Sequence, residues 1–437
     1  MRKSIFRVSV YAIIYIAALV GMGLPTLSWA QATTHSPTEL IPASYFGMHI
    51  HRADRGTKWP GREIGAWRLW DANVVWLDIE PQPGVWDFSR LDRYVSMAAS
   101  TGTEIDYPLA MSPPWASARP EEKGVYSKTK KGDAAEPAKL EDWEDMVRTV
   151  VRRYKGRIRS YELWNEVNTG TGFYSGTPEA LLALQKSAYR IIKQEDPAAL
   201  FVSPSVVGES DQQLGWFDKY LGLGAGNYAD VIGYHMYVPR KPPEEIAGLV
   251  QKLRRIMVRH GIADKPLWNT ESGYRMDFRQ ERVVAADPSW PALSPERAEA
   301  YVVRALLLGW WAGIDRFYWY AWDNSDLGLI DPAGNVTAAG KAYLTTVRWL
   351  VGSSLKSCKR TGPVWVCAIE RRGRNAWLVW NEGNDEMPWS VVSLPTVTAW
   401  EALSGKTGAI DKTQTVKLDG RPLLLLDSNI AWSEKIK

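Results

Sequence analysis

The chain has 437 residues, 45% of them hydrophobic and 23% charged, the composition of a globular protein with room for one large and one small domain. Its formal net charge of +4 includes Arg2, Lys3 and Arg7, and about +1 remains without those three. A nearly neutral chain offers no electrostatic basis for binding nucleic acid or an anionic membrane surface.

The three cations precede an apolar run from about Val8 to Leu24, and Ser28-Trp29-Ala30 follows as a small-x-small site. This is the form of a secretory signal peptide over residues 1–30. Cleavage after Ala30 is expected to leave a periplasmic or secreted monomer with no membrane span. The length of the apolar run leaves an uncleaved anchor open.

Short apolar strands then alternate with amphipathic helices, the pattern of βα units around a parallel sheet. Strand one is Tyr45–His51, and Trp67–Trp70 with Val74–Leu77 forms a second strand region. A helix carrying Leu91, Tyr94, Val95 and Ala98 leads to strand three, Glu104–Ala110. The loop from about Ser112 to Ala138 is rich in Pro, Lys and Gly, long enough to be a wall or lid over a site. Its Lys123, Lys128, Lys130 and Lys131 are offset by Glu121, Glu122, Asp133 and Glu136, and read as solvated, with an acidic sugar as the alternative partner.

Trp143, Met146, Val147, Val150 and Tyr154 fall at helical spacing ahead of strand four, Tyr161–Asn168. Thr177-Pro178-Glu179 opens the next helix as N-cap, first-turn proline and dipole-matched acid. Strands five (Leu200–Pro204), six (Val231–Tyr237), seven (Pro266–Gly273) and eight (Arg316–Trp322) follow, with helices over Leu249–His260 and from Ser294 to Gly313. Eight strands in about 300 residues predict a (β/α)₈ barrel over residues 31–350. From residue 351 to 437 only strands and turns are predicted, a small β-sandwich with a stabilising rather than a sugar-binding role. Within it, Thr361-Gly362-Pro363-Val364 is a turn signal between Cys358 and Cys367. A hairpin there would set the two cysteines opposite each other in a disulfide, as suits an exported chain.

Strands four and seven each end on a glutamate, Glu166 in Trp164-Asn165-Glu166 and Glu271 in Thr270-Glu271-Ser272-Gly273. Two carboxyls at neighbouring strand ends are what hydrolysis of a glycosidic bond needs: one protonates the leaving oxygen and the other attacks the sugar carbon. Tryptophan occurs 23 times, an excess that fits carbohydrate binding because indole stacks on sugar rings and keeps an N–H donor. No cluster has metal-ligand spacing and no phosphate-binding glycine loop occurs, so no metal or cofactor is expected.

With these motifs in order, the chain resembles a clan A glycoside hydrolase, most specifically glycoside hydrolase family 39. The resemblance rests on Trp164-Asn165-Glu166, His235-Met236-Tyr237 and Thr270-Glu271-Ser272-Gly273, supported by Ser112-Pro113-Pro114-Trp115 and Leu327–Gly334. It implies that Glu166 is the general acid/base and Glu271 the nucleophile of a retaining mechanism. Asn165 would contact the sugar 2-hydroxyl, while Tyr237, His235 and Arg68 would donate to the nucleophile; His235 and Arg68 have purely structural alternatives. Trp115, Trp319, Trp322, Tyr274 and His49 are candidate cleft walls, although Trp319 and Trp322 face opposite ways unless a bulge intervenes. The family offers β-xylosidase, α-L-iduronidase and bacterial exopolysaccharide hydrolase as substrate readings, and the exported single barrel favours the last. A non-catalytic polysaccharide-binding protein on the same scaffold is the competing expectation.

Overall fold

The computed structural model describes residues 35–36, 38–124, 131–170, 172–277, 289–383, 385–411, 415–428 and 432. The signal segment expected at residues 1–30 lies outside them, as do Lys128 and Lys130. Among the described residues, no helix is long and apolar enough to cross a membrane.

Nine strands form one parallel sheet. They are β1 (Phe46–His49), β2 (Ala66–Arg68), β3 (Glu104–Leu109), β4 (Ser160–Leu163), β5 (Leu200–Val202), β6 (Val206–Val207), β7 (Ile232–His235), β8 (Leu267–Ser272) and β9 (Arg316–Trp319). β5 and β6 are two pieces of one barrel strand. Val202 bridges Val231 just before β7, and β6 pairs with β7, so the sheet closes on itself as an eight-stranded barrel.

Among the described residues, eight α-helices accompany it: α1 (Trp76–Ile79), α2 (Ser89–Thr101), α3 (Leu140–Tyr154), α4 (Pro178–Glu195), α5 (Asp211–Gly222), α6 (Glu245–Arg259), α7 (Pro295–Trp311) and α8 (Ala338–Leu350). The Thr177 hydroxyl accepts from the Ala180 amide at 3.1 Å, satisfying a first-turn N–H of α4 as its sequence predicts. Each long helix buries one stripe, such as Trp143, Met146, Val147, Val150 and Tyr154 on α3, and so covers the outer face of the barrel.

Three local expectations change. Val74–Leu77, read as a strand, leads instead into α1; the Trp76 and Leu77 amides bond the Ala110 and Met111 carbonyls beyond the end of β3. A buried apolar run this short has no period that separates strand from helix. Helices α5 and α8 were not predicted. The first carried a readable signal, the Ser210-x-x-Gln213 capping box that the structure forms.

The C-terminal region is a six-stranded antiparallel sheet of β10 (Ser354–Thr361), β11 (Val364–Arg371), β12 (Arg374–Asn381), β14 (Ala399–Glu401), β15 (Thr407–Ala409) and β17 (Leu423–Leu426). A two-stranded sheet of β13 (Met387–Ser390) and β16 (Thr415–Leu418) accompanies it. Alternation decides its two faces. Leu378, Trp380, Leu424 and Leu426 join the main core, whereas Val379 and Leu425 join a smaller core with Val391 and Leu418. The hairpin expected at Gly362-Pro363 joins β10 to β11; it pairs Cys358 with Cys367, and the two are disulfide-linked with Cα atoms 4.0 Å apart, closer than most bridges.

Several buried polar contacts tie the two regions together, among them the Trp349 indole on Glu401 at 2.9 Å, and one of them is a charged cluster. Glu244, before α6, accepts two hydrogen bonds from Arg304 on α7 and one from the Trp380 indole on β12. Removing a buried partner leaves a charge uncompensated. Glu244→Gln is therefore expected to destabilise the protein by about 3–5 kcal/mol, read as a lower denaturant midpoint. A loss below about 0.5 kcal/mol would show that the contact does not hold the regions together.

Candidate active site

Side-chain parity along the strands decides what reaches the barrel axis and its open end. Ala66 and Arg68 on β2, Ser160 and Glu162 on β4, and Tyr318 on β9 face inward; Trp67, Tyr161, Leu163, Phe317 and Trp319 pack into the outer core. Arg68 is fully buried. Its guanidinium donates to Glu162 through Nε, to Glu271 Oε2 at 3.0 Å and to Asn165 Oδ1 at 2.8 Å. Glu162 also accepts from the Ser205 hydroxyl. One cation thus orders β2, β4 and β8 beneath the site.

Beyond β4 the backbone turns sharply. Trp164 and Glu166 have φ of 55° and 42°, the left-handed region that costs a side-chain-bearing residue about 1–2 kcal/mol. Packing holds the turn: the Trp164 indole donates to the Phe173 carbonyl at 2.5 Å, and the Val167 amide bonds the Ser205 carbonyl at 3.2 Å. The turn presents Asn165 and Glu166 to an open cleft of about 490 Å³, with Glu271 and Tyr237 also on its lining. With Asn165 Oδ1 engaged by Arg68, its NH₂ is the end left to donate to a ligand.

Glu166 and Glu271 face each other. With His235 they each place a ligand atom within 4.8 Å of the others, a group that could also hold a metal ion. An approach this close fits the about 5–5.5 Å spacing of a nucleophile and an acid/base better than the about 6.5–9.5 Å of an inverting site, whose carboxyls hold a water between them. Their partners differ. Glu271 accepts from Arg68 and, at 2.9 Å, from the Tyr237 hydroxyl; Glu166 meets His235 Nδ1 at 2.9 Å.

Burial pushes both carboxyls up to about 7. The nearby Glu166 charge raises Glu271 further, and Arg68 opposes the rise in both. Near neutral pH such a pair holds about one proton. Two donors stabilise Glu271 as the carboxylate, so the proton resides on Glu166. Burial also lowers His235 to about 4, so its imidazole is neutral and can accept that proton's hydrogen bond.

The expected walls are largely elsewhere. Trp319 shares the outward parity of Phe317 and stacks on it; Tyr274 lies behind the wall against Tyr301 and Trp319. Trp322 is buried and donates to the Lys58 carbonyl, while Trp115 packs on Trp76 and donates to the Glu80 carbonyl. His49 is an inner-layer residue, its Nε2 on the Thr270 carbonyl at 3.0 Å and its ring centroid 5.0 Å from that of Tyr320. The aromatic lining is instead Trp70, Phe173, Trp290 and Tyr320, with Asp71 accepting from the Tyr320 hydroxyl at 2.7 Å. Parity along β9 was the missed signal: it turns Tyr318 and then Tyr320 inward.

No protein-family model matches the sequence, and no curated protein matches it. Solved structures do. The fold is similar to that of a family 39 glycoside hydrolase from Bacteroides cellulosilyticus WH2, with 16% identity, a TM-score of 0.68, and 89% of this chain and 82% of that one covered. A family 39 enzyme from Xanthomonas axonopodis pv. citri is similar at 15% identity and a TM-score of 0.61, over 89% of this chain and 94% of that one. A monomeric β-xylosidase from Caulobacter crescentus CB15 matches at 16% identity and 0.61, over 87% and 95%. The fold is the one these proteins share. At such identities the likeness speaks for architecture, the barrel followed by a β-domain, and the residues must carry the chemistry.

The proton assignment can be read directly. Carbon-13 titration of the glutamate carboxyls is expected to show Glu166 losing its proton near pH 7. Glu271→Gln removes the adjacent negative charge, so Glu166 should then titrate lower. A Glu166 midpoint unmoved by that substitution would show that the two carboxyls do not share a proton.

Proposed function

We propose that this protein is a retaining glycoside hydrolase acting outside the cytoplasm on a polysaccharide, in the finer reading a bacterial exopolysaccharide. One observation carries the proposal: a buried and a part-buried carboxyl with oxygens within 4.8 Å at the open end of the barrel, the first held by two donors and the second facing a neutral imidazole. The fold shared with solved proteins named family 39 glycoside hydrolase and β-xylosidase supports the class.

In this mechanism Glu271 attacks the anomeric carbon while Glu166 gives its proton to the departing glycosidic oxygen. The C–O bond breaks, and a glycosyl ester forms on Glu271. Glu166, now a carboxylate, takes a proton from water, whose oxygen attacks the same carbon and returns Glu271 to its free form. Arg68 and Tyr237 keep the nucleophile ionised and aligned. The Asn165 amide donates to the sugar 2-hydroxyl, a contact that strengthens as positive charge grows on the ring. Phe173 and Trp290, part-buried on the cleft lining, offer faces for sugar stacking.

Glu166→Gln should slow turnover most with poor leaving groups, because an activated aryl glycoside needs little proton assistance. Its glycosyl-enzyme should then accumulate, since the same residue activates the water. Intact-mass measurement followed by peptide mapping is expected to find the sugar on the peptide containing Glu271. An adduct on another residue would overturn the assigned roles, and a wild-type protein that binds glycans without turnover would replace the enzyme with a binding scaffold.

A further inference from the structure

Resting on the hydrolase reading, we propose that a second cleft at the catalytic end of the barrel binds an anionic group carried by the glycan, a uronosyl carboxylate or a sulfate ester. This cleft, about 660 Å³, lies between the segment that follows β1 and the segment that follows β9, and Arg52, Arg55 and Lys58 line it. It shares a wall with the catalytic cleft: in the short 3₁₀ turn Ser325–Leu327, Leu327 lines the catalytic cleft and Ser325 the second one. Tyr320 of the catalytic lining is also only 5.1 Å, ring to ring, from His51. A chain leaving the catalytic cleft over this wall meets the cations next.

The acids of the second cleft are already occupied. Asp323 is almost fully buried and accepts from the His51 amide at 2.8 Å, the Arg52 amide at 3.0 Å and the Thr57 hydroxyl at 2.7 Å. The Arg52 guanidinium lies against the same residue. Asp331 takes the Ala333 and Asn335 amides and the Asn335 side chain. The Arg55 and Lys58 side chains, in contrast, make no hydrogen bond or ion pair with another described residue. Their segment is fixed all the same, by Asp323 at Thr57 and by the Trp322 indole on the Lys58 carbonyl at 2.9 Å. Two cations without a side-chain partner, on an anchored backbone in a concave site whose lining also carries the Asp331 carboxylate, form a preorganised anion receptor with a cationic excess.

The test compares wild type with the double variant Arg55→Gln/Lys58→Gln in affinity electrophoresis through gels containing polygalacturonate, dextran sulfate or neutral dextran. Wild type is expected to be retarded by at least one anionic polymer and not by the neutral one, with the effect weakening as salt rises. Retardation by polygalacturonate alone identifies a carboxylate site, and by dextran sulfate alone a sulfate site. The double variant should bind that polymer at least tenfold more weakly and hydrolyse a small neutral aryl glycoside with kcat/KM within twofold of wild type. Retardation that survives the substitutions, equals that in neutral gel, or is absent from every gel would overturn the proposal. The two readings fail separately. Charge-dependent retention without glycoside hydrolysis would remove the hydrolase reading and keep the cleft, whereas hydrolysis without such retention would remove the cleft alone.

Discussion

The site depends on a cation buried where solvent cannot reach it. A guanidinium inside a barrel is tolerable only if anions and acceptors surround it, because stripping its water costs several kcal/mol. Arg68 meets that condition with Glu162 below, Glu271 above and Asn165 beside it. The same contacts that make the cation bearable therefore set the nucleophile and the amide next to it in fixed positions. Replacing Arg68 with a neutral residue would leave Glu162 with an uncompensated charge far from the cleft. On the proposed mechanism, the contacts by which this arginine positions Glu271 and Asn165 are the same ones that neutralise it.

The remaining ionisable groups of the interior complete the balance. Burial, with the adjacent Glu162 charge, pushes Asp106 up to about 8, so it stays neutral at pH 7. Burial and the neighbouring Arg68 hold His49 well below the usual imidazole range, and His235 is neutral too. With the proton on Glu166, the carboxylate nearest the cleft is Glu271, held by Arg68 and Tyr237. Its charge suits a reaction in which positive charge develops on the sugar ring. Backbone strain gathers at the same end. Among the described residues, Asp71, Asn73, Met111, Trp164, Glu166 and Ser325 all take positive φ in segments that follow barrel strands. Of these, Asp71 and Glu166 reach the catalytic cleft, and the surrounding core holds the strained turns.

Much of this was legible in the sequence. Alternating apolar runs and helical stripes gave the barrel, and two glutamates at strand ends gave the centre of the site, since a charged residue closing a buried strand has few structural excuses. Tyr237, His235 and Arg68 were candidates as donors at neighbouring strand ends, Asn165 through the family resemblance, and all four meet around those glutamates. The walls were harder. Trp319 and Tyr320 are adjacent aromatics, and only the strand's inward parity, fixed by Arg316 and Tyr318, decides that the tyrosine reaches the cleft. Glu162 was passed over because it looked like part of an apolar strand, although a carboxylate inside such a strand needs a buried cation. Asp71 and Trp290 sit in irregular segments that no periodicity describes. Helix α8 lacked a distinctive signal beyond its Thr337 cap, lying as it does between the last barrel strand and the β-domain.

The central claim is that two carboxyls this close act by double displacement. Proton NMR of the first-formed product, taken before mutarotation from any glycoside the protein hydrolyses, tests it most directly. Two inversions at the anomeric carbon predict a product with the substrate's own configuration. A product that first appears as the opposite anomer would mean that water attacks directly, and would contradict the account of Glu271 as the nucleophile.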